Sequence, residues 1–126
     1  MTAIDKVGLL AIRDNKVLLC RKKEGTQLLI LPGGKRENGE DDETCLLREL
    51  TEESGNASYS AFVFIGTYQS GDVKITLYQS ELSGVPSPQA EIAQLVWFAF
   101  DDDWSQLPPS LRELIFPDLR ARALGA

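Results

Sequence analysis

Between two glycines, residues 34–55 read GKRENGEDDETCLLRELTEESG, a helix-forming run crowded with acids. At about 100° per residue, Glu49, Glu52 and Glu53 stand at i, i+3 and i+4 and share one sector of a helix. Leu46, Leu47 and Leu50 fall in the neighbouring sector and can anchor that helix to a sheet. One side holds the helix in place while the next presents three carboxylates. Like charges so spaced destabilise a helix by a few tenths of a kcal/mol per pair, and Arg48, pairing with Glu52 at i+4, offsets only part of this. A hard divalent cation offsets the rest, and oxygen-only ligands favour Mg2+ or Mn2+. Just ahead, the Pro32-Gly33-Gly34 turn lets backbone groups come close to the same place, because glycine lacks a Cβ. Carboxylates that hold a cation beside such a turn can polarise a phosphate oxygen and activate water.

The rest of the composition narrows the chemistry further. The chain has no histidine, which excludes Ser-His-Asp and Cys-His nucleophile systems and imidazole sites for zinc, copper or iron. Acid–base or metal chemistry therefore runs on carboxylates. Cys20 and Cys45 form no CxxC pair and read as small buried apolar side chains. A net charge of −6 without a Lys/Arg stripe argues against a nucleic-acid partner, although a small anionic substrate fits if a cation mediates. With 126 residues, 43% apolar and 25% charged, residues 1–126 are expected to form a single soluble domain. No apolar run reaches membrane-spanning length. The start, MTAIDKVG, has neither a basic leader nor an apolar stretch, so the expected location is the cytoplasm.

KVGLLAIRD and KVLLCRKK read as strands of a hairpin turned at Asp14-Asn15, and TQLLILP as a third strand ended by Pro32. A helix is predicted over residues 42–54, stopped by Gly55 in left-handed geometry. Further strands are predicted at SAFVFIGTY, VKITLYQSEL and QLVWFAF. A terminal helix capped by Ser110, with Leu111, Leu114 and Ile115 at core spacing, should break or kink at Pro117. Strands with one intervening and one terminal helix predict an α/β fold, a mixed β-sheet covered on its faces by helices.

The spacing Gly34, Glu40, Arg48-Glu49-Leu50, Glu52-Glu53, Gly55 resembles the Nudix box of the Nudix hydrolases at every specified position but the last. There Asn56 replaces an aliphatic residue, which puts local packing in question rather than the acids. The resemblance implies a MutT-like α/β/α sandwich that hydrolyses a nucleoside diphosphate linked to another group, water attacking a phosphorus atom. It implies Glu49, Glu52, Glu53 and the Gly34 carbonyl as metal ligands for Mg2+ or Mn2+, Glu40 as their support, and Arg48 as the arginine that orients the glutamates. Glu52 or Glu53 would serve as general base, with Glu91 in PQAEIAQLVWF as the candidate on a later loop.

For substrate grip, Gly33 offers its backbone, and Arg21 and Lys23, which alternate with Lys22, can place cations near phosphates. Tyr68, Tyr78, Phe98 and Trp104 are candidates to stack on a base. The family's proline that goes with ADP-ribose hydrolysis is replaced by Gly71-Asp72, and its tyrosine for diadenosine polyphosphates by Val73-Lys74. No SQPWPFPxS-like stretch marks NADH hydrolysis. The preferred substrate is therefore a nucleoside or deoxynucleoside triphosphate. The alternatives are hydrolysis of ADP-ribose or nucleotide sugars, or a non-catalytic nucleotide-binding module. A homodimer is left open.

Overall fold

The computed structural model describes residues 4–123. Seven strands, β1 (Ile4–Leu10), β2 (Ile12–Arg13), β3 (Lys16–Lys22), β4 (Gly33–Lys35), β5 (Ser58–Ser70), β6 (Val73–Ser83) and β7 (Ile92–Ala99), accompany helices α1 (Asp42–Ser54) and α2 (Phe116–Ala121). They form an α/β fold with a mixed sheet in the order β4-β1-β6-β5 and a second sheet in the order β2-β3-β7. In the first sheet β1 runs parallel to β6 and antiparallel to β4. The expected hairpin is present, with Asp14 and Asn15 at φ of 53° and 61°, the positive values a tight two-residue turn demands. Its ladder is confined to Ile12–Val17 and Arg13–Lys16, because the chain passes from one sheet to the other at Ala11.

Period-two alternation along β1 splits the core into two layers. Val7, Leu9 and Ala11 pack with Cys45, Leu46 and Leu50 of α1. Leu10 faces the other way and packs with Leu77, Phe98, Leu111 and Phe116 beneath the C-terminal helix. Leu47, expected to anchor α1, is instead exposed, and buried Cys45 takes that place. Both cysteines are buried and free.

Asp41 caps α1 by accepting a hydrogen bond from the Thr44 amide at 2.8 Å. Asp42 and Glu43 suit the positive end of the helix dipole, yet the last turn holds no base and ends in Glu52 and Glu53. Gly55 does stop the helix at positive φ (71°), but its ψ of −129° gives an extended exit rather than left-handed helical geometry.

Two expectations change in sequence detail. TQLLILP contributes only a bridge between Ile30 and Cys20, since the Leu29 amide turns to the Gln106 carbonyl and Pro32 has no amide to give. At the C-terminus Ser110 is buried inside the helical segment, with Pro109 in the cap position, and the helix runs through Pro117. A π-turn at Ser110–Ile115 precedes it, with the Phe116 amide bonded to the Leu111 carbonyl. Pro117 then falls in the first turn of α2, the position at which a missing N–H is tolerated.

Phe116 is the hub of the second layer, with Phe98, Phe100 and Trp104 ring centroids 5.7, 4.9 and 5.6 Å away. Phe116→Ala should lower stability by about 3–5 kcal/mol. In a urea titration the midpoint should fall with its slope unchanged. Among the described residues no helix is long and apolar enough to cross a membrane.

Candidate active site

The glycine turn, the carbonyl end of α1 and the open face of β1 enclose a cavity of about 350 Å³. Glu49, Glu53 and Glu91 line it together with Lys6, Lys22 and Lys35, and aliphatic side chains such as Leu31, Val73 and Ile75 form the remaining wall.

Glu53 is 4% exposed, and its Oε1 accepts a hydrogen bond from the Gly33 amide at 3.0 Å. Burial pushes its carboxyl up to about 7, against the pull of that amide and with a further push from Glu49. Burial also raises the Glu49 carboxyl, opposed by Arg48. The Glu49 carboxylate fills the space a side chain at residue 34 would need: a Cβ on Gly34 would lie 2.4 Å from Glu49 Cδ. At Gly33 the φ of 129° would aim a Cβ at the Val7 carbonyl, 2.1 Å away. Both glycines are thus required by close approach as well as by backbone shape.

Arg48 ties these groups together. Its Nε donates to Glu40 Oε2 at 2.7 Å and Nη2 to Glu40 Oε1 at 2.9 Å, a two-pronged contact. Nη1 donates to Glu49 at 3.0 Å, and Nη2 also reaches the Lys35 carbonyl at 3.0 Å. The guanidinium, together with the Glu37 amide, holds the Glu40 carboxyl at about 2. The expected pairing with Glu52 is its longer contact, at 3.7 Å. Glu52 is exposed and does not line the cavity.

Glu91 reaches the cavity because its loop is tied to the end of α1. Ser87 and Gln89 donate their amides to the Ser54 and Glu53 carbonyls, each at 3.0 Å. These bonds satisfy carbonyls that a helix end otherwise leaves open. Glu91 stands 4.0 Å from Lys22 Nζ and is largely exposed.

The expected cations fall one residue out of phase: Lys22 lines the cavity, while Arg21 and Lys23 do not. Arg21 is committed elsewhere, donating to the Gln27 carbonyl at 2.9 Å and to Gln94 Oε1. Lys23 lies past the end of β3 and is exposed. None of the four aromatic candidates lines the cavity. Tyr68 and Tyr78 donate to Asp118 and Asp42, Phe98 is core, and Trp104 packs on Phe116. Lys6 and Lys35 escaped the sequence reading. Period-two alternation through Lys6, Gly8 and Leu10 is the signal that pointed to the former.

Among the described residues no three acidic, cysteine or histidine side chains already converge on one point to hold a metal. The donor set nevertheless fits a hard divalent cation. It consists of oxygen atoms alone, and burial raises the pKa of two of its carboxylates, Glu49 and Glu53, an opposition to ionisation that a bound cation would relieve. The Gly34 carbonyl lies beside them, 3.7 Å from the weak Cys45 thiol donor.

The family model described as NUDIX domain matches residues 3–115. No curated protein sequence matches the chain. Among solved structures, a nudix hydrolase family member from Chromobacterium violaceum superposes with a TM-score of 0.79 at 23% identity, covering 94% of this chain and 78% of that one. The E. coli ORF135 protein gives 0.68 at 28% identity, covering 97% and 94%. A MutT NUDIX hydrolase from Burkholderia pseudomallei gives 0.70 at 26% identity, covering 79% and 85%.

Proposed function

The chain belongs to the NUDIX family, and on that premise we propose that it converts nucleoside or deoxynucleoside triphosphates to the monophosphate and pyrophosphate with Mg2+ or Mn2+. It is a hydrolase of diphosphate bonds in small-molecule nucleotides. The observation that carries the finer reading is Glu53, a carboxylate buried on a cavity wall and pinned by the Gly33 amide beside Glu49.

Glu49, Glu52, Glu53 and the Gly34 carbonyl would hold the cation. When bound, it supplies positive charge against the charge that develops on the phosphate oxygens. Arg48 fixes Glu49 from one side, with Glu40 fixing Arg48 in turn. The Gly33 amide fixes Glu53, so the acids need little reorganisation when substrate arrives. Lys22 on the cavity wall meets phosphate oxygens. In the reaction a water oxygen bonds to phosphorus, the bridging P–O bond opens towards the pyrophosphate, and the water proton passes to a carboxylate. Glu53 and Glu91, both on the cavity wall, are the proposed acceptors, with Glu52 on the exposed side of the helix as the alternative.

A panel of canonical and oxidised triphosphates, nucleotide sugars and dinucleotides, assayed with Mg2+ and with EDTA, tests this reading. Pyrophosphate release should require the cation, and kcat/KM should be highest for a triphosphate. Faster cleavage of ADP-ribose or a nucleotide sugar would replace the proposed substrate class, and turnover in EDTA would remove the cation.

A further inference from the structure

Strand β1 turns Lys6 and Gly8 to the cavity. In the antiparallel ladder Lys6 lies directly opposite Lys35, and Gly8 opposite Gly33. On the other side Lys6 pairs with Ile75 of β6. One row across the sheet therefore reads Lys35, Lys6, Ile75, and all three residues line the cavity. The next row is glycine on both strands, and a Cβ on Gly8 would press on Ile75 and Leu31 at 3.2 Å. Two lysines thus stand next to a row that carries no side chain of its own, over which Leu31 and Ile75 pack.

Like charges directly opposite on neighbouring strands destabilise a sheet. Neither the Lys6 nor the Lys35 ammonium makes a hydrogen bond or ion pair among the described residues. Lys6 is also partly buried, and burial, Lys22 and Lys35 lower its pKa against the opposing pull of Cys20 and Glu53. An aliphatic residue at position 6 would suit the neighbouring Ile75 and Val73 better. The charge of Glu53 opposes burial and the two neighbouring lysines without offsetting them, so an added anion would be favoured here. A neutral sugar or base cannot compensate the partly desolvated Lys6 ammonium with the exposed Lys35 charge opposite it, whereas a phosphate oxyanion can.

We propose that the cross-strand pair Lys6–Lys35 is an anion seat for a phosphate group of the substrate, and that Lys6 thereby selects polyphosphate chains over diphosphates ending in a neutral group. This deepens the hydrolase reading and rests on it for the identity of the substrate. The seat itself stands on the lysine geometry alone.

Binding of inorganic tripolyphosphate, followed by calorimetry in EDTA, tests the seat without turnover. Lys6→Met should weaken binding about tenfold or more, the loss expected for a hydrogen bond to a charged group. Lys6→Arg should stay within about threefold of the unaltered protein. Lys16→Met, which removes an exposed charge outside the cavity, should change nothing. Melting of Lys6→Met should match or exceed that of the unaltered protein, because a like-charge pair is gone. Failure of the unaltered protein to bind tripolyphosphate, or equal binding by Lys6→Met, overturns the seat. In the assay with Mg2+, Lys6→Met should raise KM for a triphosphate about tenfold and leave that of a nucleotide sugar in place. An equal rise for both overturns the selectivity. Absence of all turnover would remove the proposed activity while the binding result still decides the seat.

Discussion

Glu53→Gln should lower turnover by roughly two to four powers of ten without unfolding the protein. The glutamine amide oxygen can still accept the Gly33 hydrogen bond now made by Glu53 Oε1 at 3.0 Å. What disappears is a negative charge at a side chain only 4% exposed, whose burial opposes ionisation. In the absence of added cation the variant should therefore melt at the same temperature as the unaltered protein or higher. Kinetics and a thermal scan on one preparation separate the two effects. Turnover within a factor of a few of the original would remove Glu53 from the chemistry, and a much lower melting temperature would make it a structural acid.

The adjacent glycines should fail in different ways. Gly34→Ala places a methyl 2.4 Å from Glu49 Cδ, and the obstacle is the end of a flexible side chain. The carboxylate swings aside, the backbone stays, and turnover should fall about 10²-fold, as displacement of a positioned group by about 1 Å does. At Gly33 the φ is 129° and the obstacle is the Val7 carbonyl, which belongs to the sheet backbone. There β1 or β4 must shift, so Gly33→Ala should lose about 1–3 kcal/mol of stability along with its activity. Melting temperatures set against kcat distinguish these outcomes. Equal destabilisation by both variants would show that Glu49 cannot yield at residue 34.

The carboxylate helix was legible because its signals are local. Leu46, Leu50 and the acids follow the helical period, and Gly55 marks the end. The turn at Asp14-Asn15 was legible for the same reason, since few other pairs accept two positive φ values. The division into two sheets was not, because it depends on which strands meet: β1 pairs with β6, more than sixty positions along the chain. Strand β4 was hidden by its glycines, which carry no β-propensity and are held there by close approach to β1 and Glu49. Lys22 rather than Arg21 and Lys23 reaches the cavity for a related reason. Alternation shows that neighbours part company but not which of them faces inward, and the pairing of β3 with β7 decides that. Glu91 could be named as an acid but not placed, since only the amide ties from Ser87 and Gln89 bring its loop to α1.

Helix α1 is charged the wrong way round at its far end. Glu52 and Glu53 sit where the peptide dipoles already accumulate negative potential, and no lysine or arginine occupies that last turn to answer them. The element is thus left electrically unfinished by its own sequence. A ligand arriving with positive charge would complete this corner of the molecule as well as occupy it, so that occupancy and local order become one equilibrium.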